Sequence, residues 1–457
     1  MASPSSLSTT DRTGRMAAPR ILFVTLGCAK NEVDTDRMRA LLLADGCDEV
    51  FEADEADLAI INTCSFLASA TSESIETTLE LAELMAEGVR RRPIVMCGCV
   101  PSRYGAQLAP ELPEVSAFVR ADEEDGIAGV VREVLGLGEP THAAKVDALR
   151  TVEGASAFVK ISDGCNRFCS FCAIPYIRGR YQSRPYEEIE QEVRALVAGG
   201  VREVVLIGQD TGIWGSDFDE PRTLAWLLRQ LAGVVGEVGG WLRVLYLQPE
   251  GMTDELIATL RDVPEVLPYI DIPIQHCSER VLRSMNRSGS AEQLRQLFRR
   301  LRAEIPGMVL RSTAMAGFPG ETDDEADELL AFVQEQEFDY TSVFAFSPED
   351  GTRAARMDDQ VDEDTKLERT QRLIDVTEQL GFAATARHVG ERVQVIVDGV
   401  EEGDDGLELI GHAWFQAPDS DGAVHIATGE AAVGDIVTCD LVDSFCYELI
   451  GEIVGEE

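Results

Sequence analysis

The chain has 457 residues, 45% of them apolar, which gives room for two to four domains with sizeable cores. No apolar run approaches the roughly eighteen residues that a membrane span needs. Eighty-two acidic residues against forty basic ones leave a net charge of −42. Such a surface repels phosphate backbones at long range and favours a basic macromolecular partner, although many acidic proteins are simply soluble.

Residues 1–19, MASPSSLSTTDRTGRMAAP, are small, polar and mildly basic and lack the apolar core of a signal peptide. They read as a disordered leader on a cytoplasmic protein. In that compartment thiols stay reduced, so clustered cysteines point to metal or catalysis rather than to disulfides. Residues 20–138 alternate short apolar runs at 21–26 (ILFVTL), 58–63 (LAIINT) and 93–97 (PIVMC) with helical stretches such as EVDTDRMRALLLADG and SATSESIETTLELAELM. Buried parallel strands between helices predict a doubly wound α/β domain. A polar connector, GLGEPTHAAKVDALR, follows.

Residues 152–385 repeat the alternation six times, with strands expected at AFVKIS, EVVLIG, RVLYL, YIDIPI, VLRSTAMAGF and YTSVFAF. Six βα units fit an open, partial TIM-type (β/α)6 barrel, whose working groups belong at the carboxyl ends of the strands. Residues 387–457 lose the helical period and carry RVQVIVDGV, LELIGHAWF and DIVTCDLV between Gly and Asp clusters. Short strands at turn-like spacing predict a small OB-like β-barrel.

After the first strand of the second segment comes SDGCNRFCSFCAIP, with Cys165, Cys169 and Cys172 inside eight residues. Thiolates suit zinc or iron–sulfur clusters. A structural zinc site closes with four ligands, and a cubane [4Fe–4S] cluster normally has four cysteines. Three cysteines leave one iron open to a further ligand. A zinc site with a distant fourth ligand is the alternative. The first segment has its own triplet: Cys28 in TLGCAKN, Cys64 in NTCSF and Cys99 in CGCVPSR, each just beyond a predicted parallel strand. The carboxyl ends of such strands face one crevice, so three thiols spread over 72 residues of sequence would converge. Cys97 is a rival to Cys99, while Cys47, Cys277, Cys439 and Cys446 read as isolated small apolar residues.

The spacing C-x3-C-x2-C directly after a barrel strand resembles the radical S-adenosylmethionine superfamily. The resemblance implies that the open iron chelates S-adenosylmethionine, whose reductive cleavage yields a 5′-deoxyadenosyl radical. It also implies cofactor contacts at Gln209 and Asp210 in LIGQDTGIWG, and at Gly317, Gly320 and Glu321 in TAMAGFPGET. Arg311 is a candidate for binding a carboxylate, and His276 and Arg287 are either functional or polar groups of the barrel mouth.

With both triplets and the small β-domain, nearly the whole chain from residue 21 onward resembles the methylthiotransferase family. That implies two [4Fe–4S] clusters, the second carrying sulfur derived from sulfide or persulfide, and S-adenosylmethionine as both methyl donor and radical source. It also implies a flavodoxin- or ferredoxin-type electron donor and a TRAM-like role for the β-barrel in substrate recognition. TLGCAKNEVDTDRM and SDGCNRFCSFCAIPYIRGRYQSR resemble the branch that modifies the β-carbon of an aspartate on small-subunit ribosomal protein S-twelve; Thr35 stands where that branch usually has Ser. The rival branch modifies adenosine in transfer RNA. From residue 388 onward there are seventeen Asp or Glu and one Arg, Arg392. An RNA-binding barrel needs a basic groove, so transfer RNA is disfavoured and a basic ribosomal protein favoured. Trp414 and Phe415 are candidate contact aromatics or core. A non-catalytic iron–sulfur sensor or scaffold is the alternative from another class; it would bind clusters without cleaving S-adenosylmethionine.

Overall fold

The computed structural model describes residues 18–87, 90–140, 150, 154–403 and 406–454. The expected leader lies outside these residues except for its last two positions, and so does most of the polar connector. Two compact units emerge, one of Met1–Thr151 with Ala173–Arg180, the other of Val152–Cys172 with Tyr181–Glu457.

The first unit is built on β1 (Arg20–Thr25), α1 (Ala29–Ala44), β2 (Asp48–Val50), β3 (Leu58–Thr63), α2 (Ala68–Leu84), β4 (Ile94–Gly98), α3 (Cys99–Tyr104), β5 (Ala117–Arg120) and α4 (Ile127–Leu135). The five strands form one parallel sheet in the order β2-β1-β3-β4-β5. β3 and β4 are buried along their whole length, as central strands covered on both faces must be. Alternate residues divide between two cores. Leu58 and Ile60 pack with Met38, Leu42 and Ile127, and Ala59 and Ile61 with Leu81, Met85 and Val100. The predicted doubly wound sheet is present, with β2 and β5 added as short edge strands. The short helix α5 (Ile174–Ile177) also belongs to this unit.

The second unit carries all six expected barrel strands: β6 (Ser156–Lys160), β7 (Glu203–Ile207), β8 (Trp241–Val244), β9 (Tyr269–Asp271), β10 (Val309–Ala316) and β11 (Tyr340–Ala345). They pair as two parallel sheets of three, β8-β7-β6 and β9-β10-β11. A single bridge from Leu242 of β8 to Val266 leads towards the second sheet. Helices α6 (Tyr186–Ala198), α7 (Leu224–Gly236), α8 (Asp254–Asp262), α9 (Glu279–Ser284), α10 (Ala291–Glu304) and α11 (Asp323–Gln336) run between strands. A capping box at Thr322 and Glu325 fixes the start of α11. The long α12 (Glu363–Ala386) closes the series.

The final segment is a closed five-stranded barrel of β12 (Arg392–Gly403), β13 (Gly406–Ala413), β14 (Val424–Thr428), β15 (Ile436–Phe445) and β16 (Glu448–Ile453). Closure removes the free edges that short strands would otherwise expose. A buried polar seam joins it to the amino-terminal ends of the barrel strands. Arg243 Nε donates to Glu203 Oε1 at 2.5 Å, and Arg243 Nη2 to the Trp414 carbonyl at 3.0 Å. His412 Nε2 lies 2.6 Å from Glu203 Oε2, and its Nδ1 lies 2.6 Å from Asp398 Oδ2.

Candidate functional site

Each cysteine of the upstream triplet stands just beyond a parallel strand, as the strand pattern predicts. Cys28 opens α1 just after β1, Cys64 follows β3 directly, and Cys99 follows β4 directly. Cys99 and Cys28 both act electrostatically on Cys64, and Cys28 on Cys99. Burial above all, opposed by the Phe66 backbone, with Cys99 and Cys28 adding to it and Arg178 opposing, holds the Cys64 thiol up at about 11. Burial also raises Cys99, against the pull of Arg178. Gly27 must be glycine: its φ is +109°, and a Cβ there would lie 2.7 Å from Cys64 Cβ and 3.2 Å from its sulfur. Cys97 instead points into the α1/α4 core beside Val95 and Val119, fully buried.

A hydrogen-bonded polar network supports this site. Asn31 Nδ2 donates to Asn62 Oδ1 at 3.2 Å and to the Thr63 carbonyl at 3.0 Å. Asn62 Nδ2 donates to the Asn31 carbonyl at 2.9 Å and to Thr35 Oγ1 at 3.1 Å. Ser74 Oγ accepts from Cys64 N and donates to Cys64 O. Thr35 keeps the hydroxyl that a serine would supply, and Thr25 Oγ1 donates to it at 2.8 Å, so the departure from the family pattern is chemically silent there.

The downstream triplet lies in one loop. The Asn286 amide donates to the carbonyls of Arg167 and Phe168 at 2.9 and 3.1 Å, and Ser170 N donates to the Met285 carbonyl at 2.9 Å. Phe168 and Asn286 both hold positive φ, 49° and 60°, an uncommon state for residues other than glycine. Arg167 N donates to Cys165 Sγ at 3.5 Å, Arg167 Nε to Asp210 Oδ2 at 2.6 Å, and Nη1 to Glu250 Oε2 at 2.9 Å. Burial raises the thiols of Cys165 and Cys169; Arg287 and Arg167 oppose it at Cys169.

Of the expected cofactor contacts, Gln209 and Asp210 are brought to this loop. Gln209 Nε2 donates to Asp163 Oδ1 at 2.9 Å, leaving its buried Oε1 without a partner, and Asp210 Oδ1 is likewise buried and unpaired. Arg311 is not brought there. It sits near the amino-terminal end of β10, where Nη1 donates to Asp421 Oδ1 at 3.2 Å and Nη2 to Ser342 Oγ at 3.0 Å. The carboxylate it binds is the protein's own. Gly317 and Gly320 permit close approach by protein rather than opening space. A Cβ at Gly317 would meet Lys366 at 2.3 Å, and one at Gly320 would meet Asp359 at 2.1 Å. Glu321 anchors this turn, accepting from Gly317 N at 3.0 Å and from Arg369 Nη1 at 3.0 Å.

His276 is buried, and its Nδ1 accepts from Cys277 N and Ser278 N, both at 3.0 Å. Burial lowers it to about 4, so it is neutral, with its remaining proton assigned to Nε2. Arg287 donates to the Pro273 carbonyl at 2.7 Å and to Gln248. Phe415 is core, stacked on His388 at 3.7 Å between centroids, and Trp414 packs edge-on against Phe415. Arg167 was missed although it is the lone cation between Cys165 and Cys172 in the sequence. Asn286 carried no comparable local signal.

Both triplets offer soft thiolate donors, three at each site, as a cluster with one open iron requires. Among the described residues, no three His, Cys, Asp or Glu side chains are placed as a single-ion site. At the downstream loop, the unpaired oxygens of Gln209 and Asp210 add acceptors for an amino group or hydroxyls of a bound ligand, since buried polar atoms are rarely left unsatisfied.

Comparison with known proteins follows the same three segments. Sequence profiles of the radical SAM superfamily and of the TRAM domain match residues 159–333 and 389–454, and one described as uncharacterized protein family UPF0004 matches 20–120. The ribosomal protein uS12 methylthiotransferase RimO of Geobacter sulfurreducens is 42% identical over 448 residues, covering 96% of this chain and 99% of that protein. The protein of the same name from Trichlorobacter lovleyi is 41% identical over 450 residues, with the same coverage. Among solved structures, the radical S-adenosylmethionine methyltransferase TsrM of Kitasatospora setae superposes with a TM-score of 0.54 at 14% identity. It covers 85% of this chain and 78% of TsrM, a likeness of fold.

Proposed function

This chain belongs to the ribosomal protein uS12 methylthiotransferase family, and we propose that it adds a methylthio group to the β-carbon of an aspartate of uS12 with two [4Fe–4S] clusters. It is a radical S-adenosylmethionine enzyme. With its iron–sulfur cluster and S-adenosylmethionine bound, the downstream site would supply a radical able to take hydrogen from a carbon of very low acidity. Cys165, Cys169 and Cys172 hold that cluster, Asp210 and Gln209 orient the bound cofactor, and Arg167 fixes Asp210. Cys28, Cys64 and Cys99 hold the second, sulfur-donating cluster.

The observation that carries the two-cluster reading is the placement of Cys28, Cys64 and Cys99 at the ends of three strands that are neighbours in one sheet. Acceptor choice rests on charge: the β-barrel segment has seventeen acids and one arginine, and Arg392 is neutralised by Asp440 at 2.7 Å. A lysine- and arginine-rich protein suits that surface and transfer RNA does not. A small flavodoxin or ferredoxin supplies the electron, and sulfide or a persulfide replenishes the sulfur. No described helix is long and apolar enough to cross a membrane, and the cytoplasm, where ribosomes and reduced thiols are found, is the proposed location.

The test incubates anaerobically reconstituted enzyme with S-adenosylmethionine, sulfide and reductant, offering a uS12 peptide and transfer RNA together. Mass spectrometry is expected to find a methylthio gain on an aspartate of the peptide and none on the RNA. Gain on the RNA alone would overturn the acceptor assignment. Deoxyadenosine without gain on either acceptor would leave a radical enzyme with another substrate.

A further inference from the structure

The segment immediately after Cys172 is part of the first unit. Ala173, just before α5, and Ile177 within it are buried against Cys99. The next residue, Arg178, is 2% exposed at its side chain, and its Nη1 donates to Asp34 Oδ2 at 2.6 Å; the Asp34 side chain is 4% exposed. Asp34 lies on α1, the helix that Cys28 opens. Beside Cys99, the same guanidinium pulls the Cys99 and Cys64 thiols down against their burial.

We infer that Arg178 is a positioning residue of the upstream thiol site: held by Asp34, its guanidinium donates to the Cys99 sulfur and offsets the negative charge that three thiolates bring together. The inference rests on the reading of Cys28, Cys64 and Cys99 as cluster ligands. Thiolates at the buried Cys64 and Cys99 are costly without a compensating cation. Arginine suits the task because its planar fork reaches a carboxylate and a sulfur at once, which a lysine ammonium cannot do with fixed direction. A donor to a ligating sulfur stabilises the more reduced, more negative state of the cluster and raises its potential. The bland alternative is a buried ion pair that merely pins α5 to α1.

The test uses the full-length C165A/C169A/C172A chain, in which only the upstream site can load, reconstituted with iron and sulfide. Asp34→Asn with Arg178→Gln removes both charges without stranding either. Iron content, melting temperature of the apo chain and midpoint potential by EPR-monitored titration are compared with the parent. The expected result is unchanged iron and melting, with the reduction equilibrium shifted about tenfold toward the oxidised state, about 59 mV for one electron. An unmoved potential with iron retained would overturn the inference and leave the pair structural. Arg178→Lys is expected to move the potential the same way by less. It carries the test if the double variant melts early, and no movement in it would then overturn the inference. A parent that binds no iron would overturn the two-cluster reading itself, and the inference with it.

Discussion

The two thiol triplets reach the same donor set by opposite routes. Cys165, Cys169 and Cys172 occupy eight consecutive residues, and their loop is held from outside by Asn286, Met285 and Asp210. Cys28, Cys64 and Cys99 come from three strand ends, and the sheet and the Asn31–Asn62–Thr35 network support them there. A local site depends on its own loop; a distributed site depends on its scaffold. Variants that break one and spare the other make this difference measurable.

The largest effect belongs to the local loop. Replacing any one of Cys165, Cys169 or Cys172 by alanine is expected to abolish deoxyadenosine formation, read by chromatography of the quenched reaction. Cleavage that persists in any of the three would show that the local triplet is not the radical site.

Next is the seam beneath the barrel strands. Glu203 is fully buried between Arg243 and His412. Glu203→Ala strands two cations and is expected to cost about 3–5 kcal/mol, read as a lower denaturant midpoint of the β-barrel transition. Burial pushes Glu203 up, but Arg243 and His412 outweigh it and hold it at about 2. Burial likewise pushes His412 down, and Glu203 and Asp398 outweigh it, raising it to about 9. A folded pKa above the unfolded value of about 6.5 means the His412 contribution is fully present below that value and lost as pH rises through about 9. Thermal melts of wild type should therefore fall between pH 7 and 10, and His412→Gln should flatten that slope. An equal slope in the variant would remove His412 as the cause.

Smaller, and specific to the distributed site, is Asn62→Ala. Loss of its buried hydrogen bonds is expected to cost about 1–3 kcal/mol and to lower iron retention at the upstream site while S-adenosylmethionine cleavage continues. If cleavage fell in parallel with iron, the two sites would not be separable in this way. Cys97→Ala, deep in the α1/α4 core, is expected to keep full iron. Iron loss there would reinstate Cys97 as a ligand. Smallest of all, Arg392→Ala opens an exposed pair with Asp440 and is expected to leave the melting temperature unchanged.

The same contrast governs how much could be read in advance. All six barrel strands, the parallel strands that carry the upstream thiols and the closed β-barrel were legible, because buried parallel strands are short apolar runs and turn residues punctuate the rest. The cysteines were legible because their spacing and strand-end positions are local features. What escaped depends on contacts far apart in sequence. Arg178 meets Asp34 across 144 residues, and Arg311 meets Asp421 across 110. From sequence, Arg311 was a candidate for a ligand carboxylate; only the docking of the β-barrel shows which carboxylate it takes. Gly317 and Gly320 were expected from sequence to contact a cofactor; the groups close to them are Lys366 and Asp359, which no local pattern identifies.

The central claim is that the two triplets do different work, and the C28A/C64A/C99A chain tests it most directly. Incubated anaerobically with S-adenosylmethionine, sulfide, reductant and uS12 peptide, it is expected to release deoxyadenosine and to transfer no methylthio group. Full methylthio transfer by that chain would contradict the account.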